Sequence, residues 1–255
     1  MFVPISTQHS ISRVTANLFL AQNIIKPKDI LDKLTAENKL KSYQRKGFAL
    51  NKRINLTNNH LQVMNDEVIG FLLEEFDSSG KSLNSLKIEN IDDQSKARIS
   101  FETKFYTRWV DFNDRFENDI NVLNQTFSFY VEAISLNYID EFNWNSPSKI
   151  PIEEIFNTES DLLNSNFTDS HNGTLVVISQ SEPKNGTKVY EEKKEILFNN
   201  DLKKVIINHT VGIKLEDYKL WNNDILSLFQ DAHNKNKDLL KKILKDSIKE
   251  QIHLT

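Results

Sequence analysis

Alternating apolar and polar residues predict strands along much of this chain. Residues 11–21 place four apolar side chains on one face, and a period of two recurs over 96–105, 127–142 and 203–215. This alternation is typical of strands with one buried face. Because turn residues separate neighbouring strands, the pattern favours antiparallel pairing through hairpins.

Two turn sequences predict hairpins. Ser-Ser-Gly-Lys at 78–81 separates two apolar segments in the first half of the chain. Asn185-Gly186 separates two more in the second half, and Asn-Gly suits a hairpin turn whose central residues both need positive φ.

Spacings of three and four predict amphipathic helices over 26–43, over 107–124 and from 221 to the end of the sequence. The strongest signal is 107–124, with apolar residues at Trp109, Phe112, Phe116, Ile120 and Leu123. Thr107 is a suitable N-cap for that helix.

These elements predict an α+β fold, with mainly antiparallel sheets and amphipathic helices packed on them. Each half of the chain runs from strands into an amphipathic helix, so we expect two similar halves. Pro147 and Pro151 bracket a polar segment, which divides the chain into 1–145, an N-terminal α+β half, and 152–255, a C-terminal α+β half ending in a long helix.

The strand over 134–142 carries the first candidate binding residues. Alternation places Tyr138 and Asp140 on the core face, with Asn137 and Glu141 on the opposite face. Asp140 could accept hydrogen bonds from backbone N–H groups or hold a cation in a cleft. Asn137 and Glu141 would face solvent or a partner.

Two motifs carry a family resemblance. Residues 136–142, Leu-Asn-Tyr-Ile-Asp-Glu-Phe, follow the aromatic helix 107–124, and Phe229 and His233 form an apolar-x-x-x-His pattern in the last helix. This arrangement resembles a sporadically distributed, uncharacterised bacterial family, whose strand signature is similar to Leu-Arg-Tyr-Ile-Asn-Arg-Ile. The resemblance implies a cytoplasmic accessory protein, with a defence role as one expectation, and no specific activity.

The chain departs from that signature at each of its three polar positions. Asn137 and Glu141 stand where the family has arginines, and Asp140 stands where it has asparagine. If those arginines bind an anion in relatives, this chain has lost that function or moved it elsewhere.

Composition narrows the classes of function. The 255 residues include no cysteine, which excludes disulfides, thiolate catalysis and Cys-ligated metal centres. The net charge of -4 argues against a protein that coats nucleic acid. With no secretory signal or membrane-spanning apolar run, we expect no membrane association and a cytoplasmic protein without a cofactor.

A metal-dependent nuclease or phosphoryl-transfer enzyme is the catalytic alternative. Glu191 and Lys193 share a face of one predicted strand, and with an acid such as Asp169 they could hold a metal and steady charge. A solvent-exposed hairpin edge with mixed charges is the favoured interpretation of the same residues.

The leading hypothesis is a non-catalytic interaction or sensing protein that binds a protein partner or a small ligand. His233 is either a base or ligand of such a site, or a hydrogen-bonded histidine at the boundary of the core, which we favour. A third hypothesis is homo-oligomer assembly through the last helix.

Overall fold

The computed structural model describes residues 2–6, 9–51, 54–57, 60–63, 67–91, 96–158, 163, 165–182 and 188–254. The predicted Asn185-Gly186 turn lies outside these residues. Within them the fold is mixed helix and antiparallel strand, as the alternation predicted.

Strands account for most of the regular structure, and in chain order they are β1 (Phe2–Pro4), β2 (Ile11–Leu20), β3 (Arg45–Asn51), β4 (Ile54–Thr57), β5 (His60–Val63), β6 (Glu67–Phe76), β7 (Ser82–Ile91), β8 (Lys96–Thr103), β9 (Tyr130–Trp144), β10 (Asn172–Ser181), β11 (Lys188–Asn199) and β12 (Lys204–Leu220). The helices are α1 (Pro27–Ala36), α2 (Trp109–Thr126), α3 (Ile152–Ile155), α4 (Ser165–Thr168), α5 (Asn223–Ile243) and α6 (Asp246–Gln251).

Ten strands form one antiparallel sheet. Nine of them follow the order β10-β11-β12-β9-β2-β8-β7-β6-β3, and the tenth, β1, pairs with the C-terminal end of β9. The two segments around Gly80 form the predicted hairpin of β6 and β7. β4 and β5 form a separate two-stranded sheet.

The helices α2 and α5 cover one face of the large sheet, which we call the helix face. Phe116 of α2 is fully buried, and its ring lies 4.8 Å from that of Phe229 of α5. Burial of such aromatic side chains supplies much of the stability of a core. The apolar stripe of α5 is buried against the chain's own sheet. Oligomerisation through this helix stays a prediction.

The opposite face, which we call the open face, carries half-buried polar side chains that bond across strands. Asn17 of β2 accepts from Ser100 of β8 at 2.6 Å and donates to Ser135 of β9 at 3.0 Å. Among the described residues no helix packs on this face, which suits its polar character, whereas the helix face of the same strands is apolar.

Two predicted helix ends differ from the observed ones. Thr107 does not cap α2, because Arg108 occupies the N-cap and the Thr107 hydroxyl instead bonds the Asp111 carboxylate at 2.8 Å. The helix predicted over 26–43 ends at Ala36, since Asn38 and Leu40 adopt positive φ values of 51° and 52° that no α-helix accommodates.

The predicted boundary at 145–151 lies between β9 and α3, and the ten-stranded sheet contains strands from both sides of it. The order of elements repeats in outline: β2 leads to the meander β6-β7-β8 and then α2, and β9 leads to β10-β11-β12 and then α5. The similarity of the two halves stays a prediction.

Candidate functional site

The strand β9 places its polar residues on both faces of the sheet, as the alternation predicted. Tyr138 and Asp140 are buried on the helix face, and Asn137 and Glu141 are half-buried on the open face. The four residues therefore belong to two separate environments rather than to one site.

Asp140 is fully buried and incompletely bonded. Its Oδ1 accepts a 2.6 Å hydrogen bond from the Ser10 hydroxyl, and its Oδ2 has no partner among the described residues. Burial raises the pKa of this carboxyl to about 7, because an ionised carboxylate is costly away from water. The predicted backbone N–H donors are replaced by this one hydroxyl.

His233 is a hydrogen-bonded histidine at the boundary of the core. Its Nδ1 lies 2.8 Å from the Tyr138 hydroxyl, and its ring stacks on Trp109 at 4.3 Å. Burial lowers the pKa of His233 to about 4, so the ring is neutral at pH 7 and accepts from or donates to Tyr138 without a charge.

A fully buried histidine, His209, was not among the predicted site residues. His209 of β12 has its Nδ1 2.9 Å from Asn236 Oδ1 of α5, and its Nε2 is 3.6 Å from the Glu192 carboxylate. The ammonium groups of Lys235 and Lys194 lie 2.8 and 2.9 Å from the Glu192 carboxylate. Together with the His209 ring, they hold the pKa of Glu192 well below its usual range. The alternation of β12 already placed His209 on the apolar face, which was the available signal.

These buried polar groups lie between two hydrophobic clusters of the core. We call them the polar seam, defined as Ser10, Tyr138, Asp140, His209, His233 and Asn236. Two of its hydrogen bonds, Tyr138–His233 and His209–Asn236, join β9 and β12 to α5, so the seam helps to fix how the helix sits on the sheet.

The open-face residues of the signature stretch are held by their neighbours on β12. The Asn137 amide donates to Asn208 Oδ1 at 2.6 Å and to Thr210 Oγ1 at 2.8 Å. Glu141 forms an ion pair with Lys204. Asn137 is thus engaged in a cross-strand network and is not presented to a ligand.

A cleft of about 590 Å³ opens beside Glu141, and we call it the loop cleft. It is lined by residues 5, 6, 9 and 11–13, by Lys81, by residues 104–106, and by Ile139 and Glu141. Its volume lies in the range of small-molecule sites.

Positive charge predominates among the groups that line the loop cleft. Arg13, Lys81 and Lys104 contribute cationic side chains, against the single carboxylate of Glu141. Arg13 and Lys104 share Glu102 at 3.7 and 3.6 Å, which are long contacts between half-exposed groups. Such pairs are weak in water, so both cations remain able to contact an anion.

His9 lines the loop cleft, but the unpartnered nitrogen of its ring is not accessible to solvent. Its Nε2 lies 2.8 Å from the carbonyl oxygen of Tyr106 and therefore donates to it. The Nδ1 atom is then an acceptor, and it is buried without a partner among the described residues. A buried acceptor without a partner lowers stability, and a molecule in the cleft cannot reach this atom because it has almost no accessible surface.

The residues of the catalytic alternative are not brought together. Glu191 and Lys193 are exposed on the open face of β11, opposite Gly212 and Thr210. Asp169 lies just before β10, near the end of the β10–β11 hairpin where Asn172 pairs with Asn199. Glu191 and Lys193 lie towards the opposite end, where they pair with Gln180 and Ile178. In the described part of the chain, no group of three or more His, Asp or Glu side chains is arranged to hold a metal ion.

Comparison with protein-family models, curated proteins and solved structures gives no significant match. Among the described residues, no helix combines the length and the apolar character needed to span a bilayer.

Proposed function

We propose that the protein is a non-catalytic binding or sensing protein that takes a small amphipathic anion in the loop cleft. The observation that carries the proposal is that three cationic side chains, Arg13, Lys81 and Lys104, line one cleft of ligand size that also offers apolar surface. Convergent polar groups in a concave, partly apolar site are typical of ligand pockets.

The lining suggests the chemical class of the ligand. The cations suit a carboxylate or phosphate group. Phe105 is 67% exposed and, with Ile5, offers apolar surface to a ring or short chain.

The cleft also has a physical connection to the helix layer, which supports sensing. Tyr106 lines the cleft, and its ring meets that of Tyr138 edge-on at 6.2 Å. Tyr138 in turn bonds His233 of α5. A ligand that displaces Tyr106 would therefore act on the contact between β9 and α5.

The binding proposal is tested by calorimetric titration with phenyl phosphate, inorganic phosphate and benzyl alcohol. We expect phenyl phosphate to bind more tightly than either of the other probes, because only it has both an anion and a ring. Arg13→Gln and Lys104→Gln should each weaken its binding about tenfold, which corresponds to about 1.4 kcal/mol.

Lys219→Gln is the matched control, since Lys219 is exposed on β12 opposite Val131, at the far end of β9 from Glu141. Equal binding by the three variants, or no phenyl phosphate binding at millimolar concentration, would refute the proposal.

A further inference from the structure

The strand β10 ends the large sheet and leaves one edge unpaired. All ten of its residues pair with β11 in one continuous register. At about 3.3 Å per residue the strand is about 33 Å long, and the short helix α4 contacts β10. Within the residues that the structure describes, no backbone hydrogen bond reaches this outer edge.

This edge lacks the features that usually prevent strands from pairing with other chains. The sequence of β10, Asn-Gly-Thr-Leu-Val-Val-Ile-Ser-Gln-Ser, contains no charged residue and no proline. Val176 and Ile178 project from the same face and are 47% and 67% exposed. A long, regular, neutral edge with exposed apolar side chains is a template for strand addition.

The opposite edge of the sheet, β3, differs in these features. Phe48 and Leu50 are 43% and 46% exposed, comparable with Val176. β3 also carries Arg45 and Lys46, and its register shifts between Ala49 and Leu50. Charges and irregular pairing of this kind protect an edge, so only β10 combines apolar exposure with a regular, uncharged edge.

We propose that β10 pairs antiparallel with β10 of a second copy of this chain, which joins the two sheets into one. Opposite residues of an antiparallel pair point to the same face. Around a two-fold axis, Val176 can then lie opposite Ile178 of the second copy while Ile178 lies opposite its Val176. Each copy thereby covers the other's exposed apolar pair.

Charge favours a second copy as the occupant. Because β10 is neutral along its whole length, self-pairing places no like charges opposite one another, which is the usual obstacle to pairing of identical strands. One row of strand contacts is small beside the roughly 1,200–2,000 Å² of stable interfaces. The dimer should therefore be reversible, with a dissociation constant on the order of micromolar.

Sedimentation velocity over a wide range of protein concentration tests this inference independently of the loop cleft. We expect the native chain to pass from monomer to dimer, and Ile178→Lys or Val176→Lys to raise the dissociation constant at least tenfold. Both residues are exposed, so the variants should keep the circular dichroism spectrum of the native chain.

Phe48→Lys, on the other edge, is the matched control and should leave dimerisation unchanged. A native chain that stays monomeric throughout, or a dimer that survives both β10 substitutions, overturns the inference. So does a dimer that is lost on Phe48→Lys.

The absence of cysteine from the sequence allows the register to be tested by disulfide formation. An equimolar mixture of Val176→Cys and Ile178→Cys chains should form a linked dimer faster than either chain alone. Faster linking of the Val176→Cys chain with itself would contradict the proposed register.

Discussion

Two consecutive carboxyl groups on β9 experience opposite environments. Asp140 faces α5, is fully buried and receives one hydrogen bond from Ser10, and burial raises its pKa to about 7. Glu141 faces the open side and pairs with Lys204. Partial burial works to raise its pKa, but Lys204 and Ser12 outweigh it, so the pKa lies below its usual value. Strand alternation thus sets the charge state of each group through the face it occupies.

The same contrast holds for the polar groups around these two residues. On the helix face, buried polar side chains depend on partners that are distant in sequence, as Tyr138 does on His233 and His209 on Asn236. On the open face, neighbouring strands supply partners and water reaches the rest. We therefore expect substitutions on the helix face to change stability more than equivalent ones on the open face.

Ile207 and Ile206 are adjacent on β12 and test this expectation most strongly. Ile207 is 1% exposed on the helix face, and Ile206 is half-buried on the open face. Ile207→Ala should lower the free energy of unfolding by about 4 kcal/mol, because it leaves a cavity in the core. Ile206→Ala should cost about 1 kcal/mol. Urea denaturation measures both, and equal costs would contradict a difference between the two faces.

Asp140→Asn tests whether burial of the Asp140 carboxyl makes the stability of the chain depend on pH. The native pKa of about 7 lies above the ordinary value of 3.8, so the native state holds the proton more tightly than the unfolded state does. The free energy of unfolding of the native chain should consequently fall as pH rises from about 4 to about 7, and level off above. One pKa unit corresponds to about 1.4 kcal/mol, so the total loss of unfolding free energy over this pH range is at most about 4 kcal/mol.

In the Asp140→Asn chain, an amide that cannot ionise replaces the carboxyl group. The fall in unfolding free energy between about pH 4 and pH 7 should therefore disappear. Relative to the native chain, we expect the variant to gain about 2–4 kcal/mol in unfolding free energy between pH 4 and pH 8. Urea titrations at the two pH values give this difference. A stability difference that does not change with pH would show that Asp140 is ionised in the native state throughout.

The sequence predicted the faces of β9 but not the partners found there. Alternation correctly placed Asp140 inward and Glu141 outward, because strand geometry is local. Ser10 is 130 residues from Asp140 along the chain, and no local pattern indicates such a contact. His209 could have been recognised, since Ile207 and Val211 flank it on the apolar face.

The loop cleft was beyond sequence reasoning for the same physical reason. Its lining comes from the segment before β2 and the start of β2, from the β6–β7 turn at Lys81, from the segment between β8 and α2, and from the end of β9. Only the strand order brings these segments together. The sequence did single out Glu141, but as a position of charge reversal and not as the rim of a cleft whose cations lie on other strands.

Glu141→Gln should give the smallest effect, with the opposite dependence on pH. Because the pKa of Glu141 is below its usual value of 4.5, its stabilising contribution is present above that pH and is lost as pH falls through the native pKa. The substitution should cost at most about 1 kcal/mol at pH 7, as for other ion pairs near the surface. This cost should shrink towards pH 3.5 and in high salt, which urea denaturation can follow. If Glu141→Gln instead became more favourable as pH rose, as we expect for Asp140→Asn, the two neighbouring carboxyl groups would share one environment, and the face of the sheet would not determine their charge.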